Sequence, residues 1–122
     1  MKKIVKAGTV PEFYIGERCY IAELLNRAET PQVSVARARV LPGMTIELHT
    51  LEAAEIYVIL EGEGEVEIGD NSREFVKPGD LAYIAEGRPQ RITNTGLADL
   101  IFLCICTPRF RPEIYQSLDG NR

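Results

Sequence analysis

The sequence predicts an all-β fold, and three observations support this prediction. Short runs rich in β-branched and aromatic residues recur along the whole 122-residue chain. Turn sequences separate these runs, for example Leu41–Gly43 and Asn94–Gly96, in which proline fixes φ or glycine supplies a positive φ. The one stretch that suggests a helix, around Ala22–Leu25, is too short to be stable alone, so we interpret it as strand. Short strands joined by tight turns are typical of a sandwich or barrel.

Eleven strands are predicted between these turns. They are Lys3–Ala7, Glu12–Gly16, Arg18–Asn26, Gln32–Leu41, Thr45–His49, Ala54–Glu61, Glu63–Gly69, Ser72–Val76, Asp80–Ala85, Gln90–Asn94 and Ala98–Thr107.

Length and composition exclude several classes of protein. A chain of this length is expected to form one domain, residues 1–122. Its 45% hydrophobic and 26% charged residues are typical of a globular protein and argue against disorder. A net charge of -4 offers no basic surface to nucleic acid or to anionic lipid. No apolar run reaches the roughly 20 residues of a membrane helix, and the opening residues MKKIVKAG lack the apolar core of a signal peptide. We therefore expect neither a nucleic-acid partner nor a membrane.

Three cysteines are present, Cys19, Cys104 and Cys106. Their odd number, in a chain long enough to form a core without disulfides, indicates a reducing cytoplasmic location. Cys104 and Cys106 lie two residues apart on a predicted strand and therefore share a face. We interpret them as small buried hydrophobic residues rather than as half of a metal or redox site.

The stretch Gly43–Gly62 contains the residues that are the first candidates for binding or catalysis. It includes the only histidine, His49, and Glu55 six residues later. Because strand side chains alternate between faces, His49 shares a face with Leu51, and Glu55 shares a face with Tyr57. A face that combines an imidazole, a carboxylate and a phenol with aliphatic groups is what a ligand pocket needs.

Two predicted strands are apolar where water would be expected. Ile56, Val58 and Leu60 form a wholly apolar face opposite Glu55, and Asp99–Cys106 is apolar on both faces. A strand that is apolar on both sides is buried on both sides. A second sheet, the N-terminal strands or another copy of the protein must cover the outer side, and we expect a homodimer.

Two sets of residues keep the spacing of known sequence motifs. The spacing G-x5-H-x-H-x3,4-E-x6-G is kept at Gly43, His49, Leu51, Glu55 and Gly62. The spacing G-x5-P-x-G-x2-H-x3-N is kept at Gly79, Ala85, Gly87, Gln90 and Asn94. These are the two motifs of the cupin family, with leucine and glutamine in place of two histidines and alanine in place of the proline. The chain therefore resembles a small single-domain cupin, which implies a double-stranded β-helix barrel with its core motifs at residues 43–94.

The resemblance implies a position for a metal ion inside the barrel. The four ligands of metal-binding cupins correspond to His49, Leu51, Glu55 and Gln90. Leucine cannot bind a metal, and Gln90 offers only a neutral amide oxygen. A divalent metal ion is therefore a candidate cofactor, with His49, Glu55 and Gln90 as its ligands, although three good protein ligands are usual for tight binding. A metal-dependent isomerase or oxygenase is the corresponding enzyme.

Without a metal, the same residues predict a small-molecule pocket, and this is the leading hypothesis. Its predicted lining is His49, Leu51, Glu55, Tyr57 and Gln90, with Ile59 and Ile92 as further wall residues. A carboxylate inside a barrel needs a partner. An imidazolium of His49 is one such partner, in which case its pKa should be raised above the ordinary value of about 6.5. Arg37 or Arg39 is another if their strand turns them inward, and the sequence does not decide between them. Sugar-like molecules or small acids are the expected ligands.

A third hypothesis follows from the resemblance, because the family includes metal-free sugar epimerases. These enzymes use a histidine base and a tyrosine acid. His49, Glu55 and Tyr57 are then the candidate catalytic residues, with Tyr83 as an alternative acid.

Residues 108–122 change character and are expected to cap the barrel. Pro112 and Glu113 suit the first turn of a short helix that ends near Leu118. Phe110, Ile114 and Tyr115 are candidates to attach this segment to the barrel, either as a packed cap or as a lid over a pocket.

Overall fold

The protein is described by a computed structural model, which covers residues 3–16 and 18–119. Strands dominate this part of the chain, as predicted. They are β1 Phe13–Ile15, β2 Cys19–Leu25, β3 Ser34–Val40, β4 His49–Leu51, β5 Ala54–Glu61, β6 Gly64–Ile68, β7 Ser72–Val76, β8 Leu81–Ile84, β9 Gln90–Asn94, β10 Leu100–Thr107 and β11 Tyr115–Ser117.

The strands form two antiparallel sheets. One has six strands in the order β1-β2-β3-β10-β5-β8, and the other has five in the order β11-β4-β9-β6-β7. Apolar side chains from both sheets meet in one core, since Tyr57 and Phe102 of the first pack in the same cluster as Val66 and Ile92 of the second. This is the predicted double-stranded β-helix, in which several neighbouring strands, such as β3 and β10 or β4 and β9, are distant in sequence. No helix in the described ranges is long and apolar enough to cross a membrane.

Most strand predictions are correct to within a residue or two at each end, and two are wrong. Lys3–Ala7 is not a strand, because these residues are exposed and no neighbouring strand supplies a hydrogen-bonding partner. The segment predicted as Thr45–His49 is not one strand, because Thr45 forms an isolated bridge to Thr93 and the residues up to Leu48 lie outside a strand. The strand begins at His49 instead, where Gln90 on one side and Ser117 on the other provide partners.

The predicted C-terminal helix begins at Pro112 as expected but is shorter than predicted. In the described part of the segment it is limited to the 3-10 turn Pro112–Ile114 and does not continue to Leu118. The chain then forms β11, which pairs with β4 from Tyr115 opposite Leu51 to Ser117 opposite His49. Pairing satisfies the backbone groups that a helix would have satisfied internally, so the segment lies as a strand against the histidine strand. By contrast, Ala22–Leu25 does lie in a strand, β2, as predicted.

Two motif residues have structural roles in the loop that precedes β10. The side-chain amide of Asn94 donates hydrogen bonds to the carbonyls of Val40 (2.9 Å) and Ala98 (2.8 Å), and its Oδ1 accepts one from the Gly96 amide. Gly62 has a φ of 85°, and a Cβ there would lie 2.5 Å from the carbonyl oxygen of Asp99. Only glycine fits this position, so both residues fix the loop geometry rather than bind a ligand.

Candidate ligand cavity

A cavity of about 200 Å³ lies between the two sheets, at the end where the C-terminal segment crosses. Most of its wall is apolar. Side chains that line it include Phe13, Ile15, Ile21, Ile46, Leu51, Phe102 and Phe110, together with Cys19, Ser34, Ala36, Ala38, Cys104 and Cys106. The polar lining groups are Glu23, Ser34, His49, Glu55, Tyr57 and Tyr115.

His49 is held in one tautomer by the backbone. Its Nδ1 lies 2.7 Å from the carbonyl oxygen of Glu47. Because a carbonyl can only accept, Nδ1 must carry the proton, which leaves Nε2 as a hydrogen-bond acceptor in the neutral ring. The ring also stacks on Tyr115, with centroids 4.7 Å apart and planes inclined by 17°. The imidazole is therefore fixed by β4 beneath it and by the C-terminal segment above it.

Burial keeps the His49 imidazole neutral. The residue is only 5% exposed, and this desolvation lowers its pKa from 6.5 to about 4, against a smaller opposing influence of Asp119. The expectation that Glu55 raises this pKa is therefore wrong. The reason is geometric, since the Nδ1–H group is directed at a backbone carbonyl and the loss of water around the ring dominates.

Glu55 places a carboxyl group in the cavity wall. It is 6% exposed, and the thiol of Cys106 lies 3.6 Å from its Oε2, within the range of a hydrogen bond that sulfur donates. Burial, and then the neighbouring Glu55, raise the pKa of Cys106 well above its usual range. The thiol therefore stays protonated, acting as a donor to the carboxylate and not as a nucleophile.

Tyr57 and Gln90 form a buried pair beside the cavity. The phenol hydroxyl of Tyr57 donates to Oε1 of Gln90 over 2.7 Å, and both residues are 1% exposed. Desolvation, followed by the charge of Glu55, raises the pKa of Tyr57 well above 10.0. Tyr57 lines the cavity, whereas Gln90 lies behind it and is not part of the lining.

The remaining predicted site residues lie in three different places. Leu51 lines the cavity. Ile59 and Ile92 are buried in the core, outside the lining. Tyr83 is 60% exposed and cannot act in the barrel.

The orientation of the two arginines, which the sequence left open, is outward. Ser34, Ala36 and Ala38 of β3 line the cavity, so the alternate residues Arg37 and Arg39 face away from it. Arg39 contacts Glu12, Asp99 and the ring of Tyr20 on the outer surface.

Several lining residues were not assigned to the site from the sequence. Cys104 and Cys106 were interpreted only as buried hydrophobic residues, but both line the cavity, as does Cys19. Tyr115 was considered an attachment point, yet it also stacks on His49 and donates a hydrogen bond to Glu47. The long separation of Tyr115 from His49 in sequence gave no signal of this contact.

The donor set does not fit a metal ion well. Leu51 has no ligating atom, and the amide oxygen of Gln90 accepts a hydrogen bond from Tyr57. Only His49 Nε2 and the carboxylate of Glu55 remain of the four motif positions, fewer than the three or four protein ligands of most sites. Within residues 3–16 and 18–119, no group of three or more His, Cys, Asp or Glu side chains is arranged to hold an ion.

Comparison with known proteins defines the family. The model of the cupin domain matches residues 36–106, and the chain therefore belongs to the cupin family. The uncharacterised protein MJ1618 of Methanocaldococcus jannaschii is 38% identical over 122 residues, covering 96% of this chain and 97% of its own.

Solved structures agree on the fold. A predicted oxalate decarboxylase from Thermotoga maritima is similar with a TM-score of 0.78 and 28% identity, over 86% of this chain and 98% of its own. The polyketide cyclase RemF from Streptomyces resistomycificus has a TM-score of 0.81 at 20% identity, over 97% of this chain and 86% of its own. Because RemF is only 20% identical to this chain, its similarity shows the fold alone.

The neutral state of His49 predicts an acid-dependent loss of stability. In the unfolded chain the imidazole binds a proton near pH 6.5, whereas in the folded protein it does so only near pH 4. The unfolded state therefore holds more protons between these values, and the free energy of unfolding should fall by up to about 3 kcal/mol as the pH drops from 7 to 4.

Urea unfolding at several pH values measures this loss, with His49→Gln as the control. The variant should lack the part of the loss that histidine causes, while losses from carboxyl groups remain. Because His49 is the only histidine, its NMR titration is assigned without ambiguity; a midpoint at or above pH 6.5 would contradict the buried neutral ring.

Proposed function

We propose that this cupin binds a small molecule in the cavity between its two sheets. The observation that supports the proposal is the combination of a mostly apolar wall with a few fixed polar groups, which is the usual composition of ligand sites. His49 and Glu55, which come from different strands, line the same cavity. The rigid hydrogen bonds of His49 and Tyr57 indicate that the site is formed before the ligand arrives.

The cavity limits the size of the ligand. Its volume of about 200 Å³ is below the roughly 300–1,000 Å³ of pockets for drug-sized molecules. An apolar cavity of about 150 Å³ is known to hold benzene. A single ring with a short substituent therefore matches the space.

The wall argues against the sugar-like ligand expected from the sequence. A sugar carries a hydroxyl on nearly every carbon, and each would need a partner when buried. Phe13, Phe102, Phe110 and the aliphatic residues offer none. A small acid would have to place its carboxyl group near that of Glu55, which also lines the cavity.

Filling the cavity should abolish binding. Ala36→Leu places three additional carbon atoms in the space, and the affinity for a neutral aromatic probe such as benzyl alcohol should fall about tenfold or more because the ring no longer fits. Calorimetric titration measures the affinity. The same substitution at Ala7, on the exposed N-terminal segment, should leave binding unchanged. Equal loss in both variants, or no loss in Ala36→Leu, would place the probe elsewhere.

A metal-dependent isomerase or oxygenase is the second candidate. Its support is that Nε2 of His49 and the carboxylate of Glu55 are both strong ligand types in one cavity wall. The poor fit of the other two motif positions makes it the weaker candidate.

Metal analysis of untagged protein separates the two candidates. We expect well below one divalent ion per chain, because two good ligands do not retain an ion through purification. Near-stoichiometric metal that disappears in His49→Ala, but persists in Gln90→Ala, would favour the metal enzyme with His49 as a ligand.

The epimerase hypothesis receives less support from the geometry. Tyr83 lies on the outer surface, and the raised pKa of Tyr57 makes its phenol hard to ionise. Its hydroxyl donates to Gln90 rather than into the cavity. A proton transfer from Tyr57 would first require this hydrogen bond to break.

We also propose that the protein is a homodimer through the outer face of the six-stranded sheet. Apolar residues lie in adjacent rows across β10, β5 and β8, and these rows are Leu103–Val58–Leu81 and Ile105–Ile56–Tyr83. The N-terminal segment does not cover them, since Ile4 is 68% and Val5 47% exposed. A flat apolar face of this kind is self-complementary under a two-fold axis.

A charge on this face should separate the dimer. Light scattering coupled to gel filtration should give about 27 kDa for the wild type, twice the 13.6 kDa of the chain. Leu81→Glu, at a side chain 60% exposed, should shift the mass to the monomer value because two carboxylates would be buried at the interface. Phe75→Glu is the matched control, on an edge strand of the other sheet and 76% exposed, and should stay dimeric. A monomeric wild type would contradict the proposal.

A reducing compartment, such as the cytoplasm, is the proposed location. Each of the three cysteines carries a thiol rather than a disulfide, and two of them are buried. Their place in the cavity wall indicates that they serve as small wall residues.

A further inference from the structure

Nε2 of His49 makes no hydrogen bond to any residue of the described ranges. The other ring nitrogen, Nδ1, is bonded to the Glu47 carbonyl, and the imidazole has no further polar contact there. His49 is only 5% exposed and lines the cavity. Nε2 retains some open surface, since it is not among the fully enclosed polar atoms of these residues that lack a partner. A molecule in the cavity can therefore reach it.

The lone pair of Nε2 requires a donor from the ligand. At pH 7.5 an imidazole of ordinary pKa, about 6.5, is mostly neutral. Because Nδ1 carries the proton of the neutral ring, Nε2 can only accept. A ligand satisfies it with an O–H or N–H group, whereas an ether, a ketone or an ionised acid has no proton to donate.

The hydroxyl groups of the wall do not satisfy Nε2. Those of Tyr57, Tyr115 and Ser34 each hydrogen-bond a different part of the protein. The stacking of Tyr115 on the imidazole also fixes the plane of the ring, and with it the direction of the lone pair. The acceptor is thus held in one orientation, with no protein donor bonded to it.

The rest of the wall limits the ligand to few polar groups. Ile46, Leu51, Phe102 and Phe110 are apolar parts of the lining, and each polar group buried against them would lack a partner. The volume of about 200 Å³ admits about one ring. A phenol combines one ring with one donor. Its hydroxyl is neutral at pH 7.5, as that of tyrosine is, with a pKa of about 10.

We propose that the cavity binds a small phenol, a single neutral ring whose hydroxyl donates a hydrogen bond to Nε2 of His49. This proposal rests on the proposed function and names its ligand class. The ring of the phenol replaces water against the apolar wall, and its hydroxyl supplies the partner that Nε2 lacks in the described part of the protein.

Phenol and toluene test the proposal in calorimetric titrations at pH 7.5. The two molecules have nearly the same shape and differ in one group, a hydroxyl in place of a methyl. A purely apolar cavity should favour toluene, because a buried hydroxyl without a partner loses its hydrogen bonds to water. We expect phenol to bind at least as tightly as toluene.

His49→Phe assigns the hydroxyl recognition to one residue. Phenylalanine keeps a ring that can stack on Tyr115 but has no acceptor. The ratio of phenol affinity to toluene affinity should therefore fall about tenfold or more, while toluene itself reports any change in the size of the cavity. Thr50→Val is the matched control. Thr50 lies beside His49 on β4 but is not part of the lining, so its variant should keep the wild-type ratio.

NMR of the wild-type protein tests the same contact without a variant. His49 is the only histidine, so both of its ring nitrogens can be assigned in ¹⁵N-labelled protein. Phenol should move the Nε2 resonance toward the position of a protonated nitrogen, because Nε2 then accepts a hydrogen bond. Toluene should leave it nearly unchanged. This measurement decides the proposal if His49→Phe does not fold.

The outcomes distinguish this proposal from the proposed function. Tighter binding of toluene than of phenol would overturn the phenol proposal and leave a small-molecule cavity in place. The same holds if the affinity ratio is unchanged in folded His49→Phe, or if bound phenol does not move the Nε2 resonance. Absence of binding by phenol, toluene and benzyl alcohol alike would overturn the proposed function itself.

Discussion

The cavity depends on an uneven distribution of side-chain volume between two sheets that must stay a fixed distance apart. Facing sheets lie about 10 Å from each other, so large side chains fill the gap and small ones leave it open. In one part of the barrel Ile59, Ile84 and Ile92 fill it. In the other part the inner face of β3 and β10 carries Ser34, Ala36, Cys104 and Cys106, which are too short to reach the opposite sheet. The cavity therefore results from the sizes of the side chains between the two sheets, and no loop is needed to form it.

Hydrogen bonds within the protein hold several polar groups of this cavity in fixed orientations. Backbone or side-chain partners orient the imidazole of His49 and the hydroxyls of Tyr57 and Tyr115. Each of these bonds commits a donor to a protein partner, and both phenols present their rings to the cavity. The burial that keeps the imidazole neutral also prevents it from acting as a cation in the cavity wall. Hydrogen bonding and desolvation therefore act together to fix the orientation and the charge state of the imidazole.

The sequence predicted the barrel because its turns and motif spacings are local signals. The bounds of β5, β7 and β9 were predicted correctly, and Gly62 and Asn94 mark a loop whose geometry admits little else. The errors arose where partners distant in sequence decide the outcome. The Tyr115 strand forms because β4 is available beside it, and the pKa of His49 depends on how much of the chain covers it. No local pattern contains that information.

The pairing of β11 with β4 joins segments more than sixty residues apart, and it holds the ring that covers His49. Contacts of such long sequence separation form late in folding and open readily at chain ends. The C-terminal strand that covers the cavity is therefore expected to open more readily than the inner strands. The proposed ligand would then exchange with solvent by local detachment of this terminal strand, while the remainder of the barrel keeps its structure and its hydrogen bonds.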